Sequence, residues 1–170
     1  MAKVYLLLGG NQGDRFYSLN KATELIEQEV GNIIRMSSFY ETEPWGFEHE
    51  DEFWNQVLVI ESGLEPMQIL DITQDIEARI GRVRKKNQYC ERIIDIDILF
   101  YNDIVMDEER LTIPHPKIQE RRFTLAPLAE LDAGFVHPVF QKNIGQLLSE
   151  CKDLLKVSRL EERVLLEEAI

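Results

Sequence analysis

Two aspartates, Asp95 and Asp97, are the side chains of this sequence best suited to metal chemistry. Residues 92–100 are rich in β-branched side chains, and acidic and β-branched residues alternate over 94–98, which predicts a strand with both carboxylates on one face and Ile94, Ile96 and Ile98 on the core face. Two strand rises separate the carboxylate Cβ atoms by roughly 6 to 7 Å, so a divalent cation would relieve their repulsion. Such oxygen ligands suit magnesium bound together with substrate phosphates. The pair alone is also typical of a half-exposed strand with solvated aspartates.

The segment before this strand concentrates positive charge. Residues 79–92 hold six of the nineteen basic residues in a chain whose formal net charge is −12. These residues are Arg79, Arg82, Arg84, Lys85, Lys86 and Arg92. One guanidinium group can donate two parallel hydrogen bonds to phosphate oxygens, and carboxylates bind the metal ion that accompanies the phosphates. A cationic loop leading into two carboxylates therefore indicates a metal-phosphate substrate. A solvated loop without a ligand is the alternative interpretation.

Four strands and two helices must position these residues. The apolar patterns predict strands over residues 4–8, 33–40, 53–60 and 92–100, with residues 9–14 as a tight turn. One helix is expected to begin near Asp14 and stop at Gly31, and a second to run from Pro66 to Gly81. The order βαββαβ predicts an α+β, ferredoxin-like sandwich: an antiparallel sheet with two helices on one face.

The remaining third of the chain predicts smaller elements. Residues 104–106 and 111–113 are expected to form a hairpin, and helices are expected near residues 126–128 and over 144–155. His115 stands between two prolines, a rigid setting that suits either a phosphate donor or a structural role. We expect one domain over residues 1–160 and an acidic helical tail over 161–170.

Composition narrows the class of protein. With 170 residues, 44% apolar and 29% charged, the chain can build a single globular core. A pI near 4.7 argues against non-specific binding to nucleic acid or to an anionic membrane. The apolar run at residues 4–8 is too short for a signal peptide or a spanning helix, so we expect a cytoplasmic protein. The two cysteines, Cys90 and Cys151, lack disulfide-framework or zinc spacing.

Other candidate residues allow two interpretations each. Trp45 and Phe47 lie in the long connection 41–52, where they could cover a flat ligand or fold onto the core. Gln74 and Glu77 share a face of the second predicted helix just before the basic loop. Their ordinary interpretation is as solvent-facing polar residues.

Several spaced motifs run along most of the chain. They are Ser38-Phe39-Tyr40-Glu41-Thr42, Asn55, Gly81-Arg82-Val83-Arg84, Arg92-x-x-Asp95-x-Asp97, Pro114-His115-Pro116 and Arg121-x-Phe123. Together they resemble one family, the 6-hydroxymethyl-7,8-dihydropterin pyrophosphokinases, from about residue 3 to about residue 140, in the family's order and spacing. The chain departs from the family's pattern at Gly10, Tyr89, Cys90 and Pro116, but retains the carboxylates and arginines of the phosphate site.

The resemblance implies transfer of pyrophosphate from ATP to the hydroxymethyl group of 6-hydroxymethyl-7,8-dihydropterin, giving AMP, for folate biosynthesis. It implies catalytic roles for Arg82, Arg92, Asp95 and Asp97, the aspartates holding two Mg²⁺ ions. It implies ATP contacts from Gln74, Glu77, Arg84, Tyr89, Ile98, His115 and Arg121. It implies pterin contacts from Thr42, Pro44, Trp45, Phe53, Asn55 and Phe123. ATP and the pterin are the expected partners of a monomeric enzyme that binds neither nucleic acid nor membrane.

Two other classes of function compete with this expectation. A non-catalytic nucleotide or pterin sensor on the same fold would keep the stacking residues but could lose the metal pair, which this chain retains. A ferredoxin-like RNA-binding module would present aromatic residues on a positive sheet surface. The acidic composition and the missing Lys/Arg-Gly-Phe-Gly-Phe run disfavour that class.

Overall fold

The computed structural model describes residues 1–43, 52–81 and 93–161. Within these ranges the chain forms strands and helices in the order β1 α1 β2 β3 β4 α2 β5 β6 β7 α3 α4 β8. Their bounds are β1 Ala2–Gly10, α1 Arg15–Glu29, β2 Asn32–Met36, β3 Tyr40–Thr42, β4 Phe53–Ser62, α2 Pro66–Ile80, β5 Asp95–Tyr101, β6 Met106–Asp107, β7 Thr112–Ile113, α3 Arg122–Asp132, α4 Ile144–Glu150 and β8 Val157–Arg159.

The main sheet has the strand order β5-β1-β4-β3-β8, and β2 pairs with the half of β4 that β3 leaves open. All of its neighbouring strands are antiparallel. The predicted ferredoxin-like class is confirmed, because two βαβ halves interleave into one antiparallel sheet. Strands β6 and β7 form the predicted separate hairpin.

Helices cover both faces of the sheet; the sequence predicted the first two helices on one face and assigned no face to the C-terminal helices. Helices α1 and α2 lie over the first core cluster, which includes Leu6, Leu8, Leu58, Ile69 and Ile76. Helices α3 and α4 lie over a second cluster on the opposite face, which includes Tyr5, Leu7, Val57, Leu125 and Ile144. The face that carries Asp95 and Asp97 is therefore also a core face along part of its length.

Local chemistry explains the ends of the two N-terminal helices. Asp14 precedes α1 and its carboxylate accepts the Tyr17 N–H at 3.0 Å, as the sequence predicted. Pro66 opens α2, and Gly81 ends it with a φ of 111°, a left-handed conformation that favours glycine. The predicted apolar stripe of α2 is confirmed, with Ile69 and Ile76 fully buried.

Three predicted boundaries are wrong. Strand β1 continues through Gly9 and Gly10 instead of turning there. The single strand predicted over residues 33–40 is divided into β2 and β3, because the Ser37 hydroxyl donates to its neighbour's carbonyl and accepts the Val57 N–H. The helix predicted over 144–155 ends at Glu150, because Asp153 turns inward to accept the backbone N–H groups of Arg122 and Leu155.

Strand β8 was not predicted, and it pairs with β3. Only residue 161 of the predicted acidic tail is described, so its helical form lies outside the described residues.

The turn from α1 to β2 generates a stability prediction. A Cβ added at Gly31 would clash with the backbone carbonyl oxygen of Glu61 on β4. Moving the backbone of a paired strand to relieve the clash costs stability. We expect Gly31→Ala to lower the free energy of unfolding by about 1–3 kcal/mol in urea denaturation. Gly134→Ala is the control, since no described heavy atom lies within 4 Å of its added Cβ. Equal stability of the two variants would contradict this packing argument.

Candidate active site

The two carboxylates project from β5, which forms one edge of the main sheet. Asp95 pairs with Gly9 and Asp97 with Leu7 of β1, so both side chains lie on the face that α3 and α4 cover further along. Both aspartates are half-buried. The alternation predicted for this strand is confirmed, with Ile94, Ile96 and Ile98 buried in the first core cluster.

Gly9 separates the carboxylates from a polar pair on the neighbouring strands. Gly9 pairs with Asp95 on one side and with Asn55 of β4 on the other. A Cβ at Gly9 would collide with the Asn55 Oδ1 atom, so the Asn55 amide extends over the space that the missing side chain leaves. Two strand spacings, about 10 Å, separate Asn55 from Asp95 across the sheet. A flat ligand could lie across this interval.

Thr42 and Phe53 lie one row beyond Asn55 on the same face, as cross-strand partners on β3 and β4. Thr42 is 1% exposed and Asn55 is 5% exposed. The Thr42 hydroxyl oxygen is buried without a hydrogen-bond partner among the described residues. A buried hydroxyl without a partner is costly, so this position suits a polar ligand atom.

The loop after β7 brings His115 and Arg121 to the carboxylates. The His115 backbone N–H donates to the Leu99 carbonyl of β5 at 3.0 Å, which fixes the loop beside that strand. The Nδ1 atom of His115 accepts the Lys117 N–H at 3.1 Å, so the neutral ring carries its proton on Nε2.

The charge state of His115 follows from its surroundings. Burial lowers the pKa of His115 to about 4, and the positive charges of Arg121 and Lys117 act in the same direction. The carboxylate of Asp95 opposes that change. At neutral pH the ring is therefore an uncharged N–H donor in the electrostatic field of Asp95 and Arg121. This environment favours a neutral His115 that donates a hydrogen bond to phosphate over a positively charged His115 that attracts phosphate.

Phe123 lies at the start of α3, where it packs against the second core cluster. The Arg121 guanidinium carbon lies 5.6 Å from the centre of the Phe123 ring. One short segment thus places a cation and an aromatic ring together on the face of the carboxylates.

Helix α2 supplies two more of the predicted residues. Glu77 is 3% exposed, and its Oε1 atom accepts the Ile96 N–H of β5 at 3.3 Å. The interpretation of Glu77 as an ordinary solvent-facing residue is therefore wrong. Gln74 is half-buried and its Oε1 atom accepts from Arg110 at 3.4 Å, while Arg110 also pairs with Asp71 at 2.6 Å.

The predicted residues do not all share one surface. The Ile98 side chain lies in the first core cluster, on the opposite face from Asp97. The other predicted residues lie outside the described ranges. These are Pro44, Trp45, Arg82, Arg84, Tyr89 and Arg92.

Sequence reasoning missed Gly9. It interpreted Gly9 and Gly10 as turn chemistry, although a glycine inside a strand is also a mark of close approach by another group. It missed Arg110 as well, whose contact with Gln74 joins elements 36 residues apart in the chain.

The donor chemistry of the carboxylate pair fits magnesium. Across residues 1–43, 52–81 and 93–161 no group of three or more His, Cys, Asp or Glu side chains is arranged to hold a metal ion. Asp95 and Asp97 form a group of two carboxylates. Magnesium is commonly held by one or two carboxylates together with substrate phosphates. In the same ranges, no helix has the length and apolar character to cross a membrane.

Comparison with known proteins decides the family. The family model described as 7,8-dihydro-6-hydroxymethylpterin-pyrophosphokinase matches residues 5–133. The chain belongs to this family. The family expected from the motifs is thus confirmed, and the chain is an enzyme of the pyrophosphokinase class.

Curated relatives are also named as pyrophosphokinases. A 2-amino-4-hydroxy-6-hydroxymethyldihydropteridine pyrophosphokinase of Porphyromonas gingivalis is 45% identical over 141 residues, covering 81% of this chain and 95% of the relative. The enzyme of that name from Bacillus subtilis is 41% identical over 129 residues, covering 75% of this chain and 77% of the relative.

Solved structures support the fold. The wild-type HPPK-DHPS of Plasmodium falciparum with pteroate superposes with a TM-score of 0.74 at 18% identity, over 88% of this chain. The chain spans 44% of that protein's length. At this identity the likeness establishes the fold of the family's domain.

The lowered pKa of His115 predicts a pH dependence of stability. The unfolded chain binds a proton near pH 6.5 and the folded protein only near pH 4, so stability is lost as pH falls between these values. The loss in the free energy of unfolding over this pH range is roughly 3 kcal/mol. We expect His115→Gln to flatten the pH dependence of urea denaturation without magnesium or nucleotide. Parallel curves for the variant and the wild type would show that His115 titrates normally.

Proposed function

We propose that this enzyme transfers the β,γ-pyrophosphoryl group of ATP to the hydroxymethyl oxygen of 6-hydroxymethyl-7,8-dihydropterin, releasing AMP and the pterin diphosphate used in folate biosynthesis. Family membership supports the proposal. The observation that carries it is the shared face of the sheet, where an acidic pair on β5 and a buried hydroxyl and amide on β3 and β4 flank Gly9.

The polar pair is the proposed pterin end of the site. A pterin edge presents hydrogen-bond donors and acceptors side by side, and the Asn55 amide supplies both. The Thr42 hydroxyl, which lacks a described partner, would gain one from the ligand. Phe53, the cross-strand partner of Thr42, offers an aromatic surface at this edge. Phe123, Pro44 and Trp45 are proposed to complete the site on the strength of the resemblance.

The carboxylates are the proposed nucleotide end. Asp95 and Asp97 would hold two Mg²⁺ ions against the phosphates, and bound Mg²⁺ would neutralise phosphate charge and acidify the attacking hydroxyl. The Nε2–H group of His115 would donate a hydrogen bond to a phosphate oxygen, and Arg121 would contribute a positive charge. Arg84, Tyr89, Gln74, Glu77 and Ile98 are proposed to lie beside the nucleotide by resemblance alone.

The proposed mechanism depends on positioning. In-line phosphoryl transfer involves little covalent chemistry from the protein, so catalysis comes from alignment and electrostatic stabilisation. Arg82 and Arg92 are proposed to stabilise charge on the moving pyrophosphoryl group. The protein then needs no general base of its own, and we assign none.

We also propose a monomeric, cytoplasmic enzyme without nucleic-acid or membrane partners. The acidic composition supports this part of the proposal, because non-specific binding to polyanions requires distributed positive charge. We propose further that residues 1–160 form a single domain and that residues 161–170 form an acidic tail.

Replacing one carboxylate tests the reaction and the metal site together. Because Asp97 is half-buried on the ligand face, Asp97→Ala should fold normally. It should lower pterin-dependent AMP release from MgATP by at least about 100-fold. Asp103→Ala, at an exposed aspartate just after β5, should retain full activity.

Two results would contradict these assignments. Magnesium-dependent turnover retained in Asp97→Ala would remove the proposed metal role. No AMP from the wild-type protein, combined with pterin or nucleotide binding in calorimetry, would favour the sensor instead.

Gly9 offers a test of the pterin end. Gly9→Ala should displace the Asn55 amide, because the added methyl occupies the position of its oxygen. We expect the KM for the pterin to rise about tenfold, with little change in stability, because the end of one side chain can move aside. Gly63→Ala is the control, since the only described atom near its added Cβ is the Met1 sulfur at 3.5 Å. An unchanged pterin KM in Gly9→Ala would place Asn55 outside the pterin site.

A further inference from the structure

One carboxylate on α3, that of Glu130, contacts two other segments of the chain, residues 38–40 and β8. The Oε2 atom of Glu130 accepts the Ser38 backbone N–H at 2.6 Å. Its Oε1 atom lies 3.4 Å from the Tyr40 hydroxyl, which donates to it, and 3.3 Å from the Nε atom of Arg159. The Glu130 side chain is 19% exposed, so these contacts are shielded from solvent in part. Charged acceptors in such settings form the stronger class of hydrogen bonds.

The segment held by Glu130 is the strand that carries Thr42. Strand β3 has only three residues, and it is separated from β2 by the break at residues 37–39. Ser38 lies in that break, and Tyr40 is the cross-strand partner of both Asn55 and Arg159. Glu130 therefore holds β3 at its first residue and at the bend that precedes it.

The other parts of the site have anchors of their own. The start of α3, next to Arg121 and Phe123, is tied to the chain beyond α4, because the Arg122 side chain donates to the carbonyls of Cys151 and Asp153. Asn55 lies in β4, which pairs with β1 along the whole length of β1. Loss of Glu130 should therefore loosen β3 while the phosphate-facing residues stay in place.

We propose that Glu130 is a positioning residue for the pterin: it fixes the Thr42 hydroxyl relative to Asn55 without touching the substrate. The inference rests on the proposed function, since it assumes that Thr42 binds the pterin. A positioning residue of this kind acts on one substrate only, because sub-ångström placement of a hydrogen-bonding group affects the ligand it contacts.

The experiment compares steady-state KM values for the two substrates. We expect Glu130→Ala to raise the KM for the pterin about tenfold, with the KM for MgATP changed by less than about twofold. Glu130→Gln should have a pterin KM close to that of the wild type, because its side-chain carbonyl can still accept the Ser38 N–H. The Ser38 amide proton should exchange faster with solvent in Glu130→Ala, measured by NMR without ligand.

Asp132→Ala is the matched control. Asp132 lies on the same helix and accepts a tyrosine hydroxyl, but its partners are Tyr5 and Lys3 of β1, not β3. This variant should keep the wild-type pterin KM even where its stability falls. If Glu130→Ala does not fold, Glu130→Asp replaces it, since a carboxylate one methylene shorter should raise the pterin KM in the same selective way.

The outcomes separate the two proposals. Wild-type activity with an unchanged pterin KM in Glu130→Ala, or in Glu130→Asp where it replaces that variant, would overturn this inference alone. An equal rise of both KM values, or the same rise in Asp132→Ala, would indicate a merely structural role and would also overturn it. Wild-type protein that releases no AMP with the pterin would overturn the proposed function itself.

Discussion

The register of β1 between β4 and β5 is the constraint on which the site depends. Antiparallel pairing sets Gly9 beside both Asp95 and Asn55, and Leu7 beside Asp97. Because side chains alternate between the faces of a sheet, a slip of one residue would turn both carboxylates toward α1 and α2. The apolar residues of β1 prevent that slip, since Leu6 and Leu8 are buried on one face and Tyr5 and Leu7 on the other.

The same strand also carries the change from apolar core to candidate site. Tyr5 and Leu7 lie under the helices of the second core cluster, whereas Gly9 offers no side chain for a helix to cover. Strand β1 thus changes from core to ligand surface within a few residues. The apolar contacts of Val57 and Val59 on β4 hold α3 over the core end, and Asn55 takes their place at the site end.

Patterns with a strict period could be predicted from the sequence. The alternation around Asp95, the apolar stripe of α2 and the capping residues Asp14 and Gly81 depend on local chemistry, and the structure confirms them. The family was predictable because its motifs are spaced along most of the chain.

Features that depend on long-range contacts could not be predicted. The burial of Glu77 requires the Ile96 N–H, 19 residues away, and the division between β2 and β3 requires hydrogen bonds from Ser37 to β4. The pairing of β8 with β3 joins residues more than one hundred positions apart, and no short-range pattern at residues 157–159 indicates it. The sequence predicted the C-terminal helices but not the face of the sheet that they cover, since a half-polar strand face does not reveal what covers its apolar half.

Glu77 shows how the fold protects a functional edge. Strand β5 is an edge strand, and an exposed edge invites pairing with another chain. The Glu77 carboxylate accepts the N–H of Ile96, the residue between the two aspartates, so the backbone at this point is already satisfied from α2. Glu77 approaches from α2, on the opposite face of β5 from the two aspartates. One buried carboxylate can therefore both close the edge and stiffen the strand on which the metal-binding pair is proposed to depend.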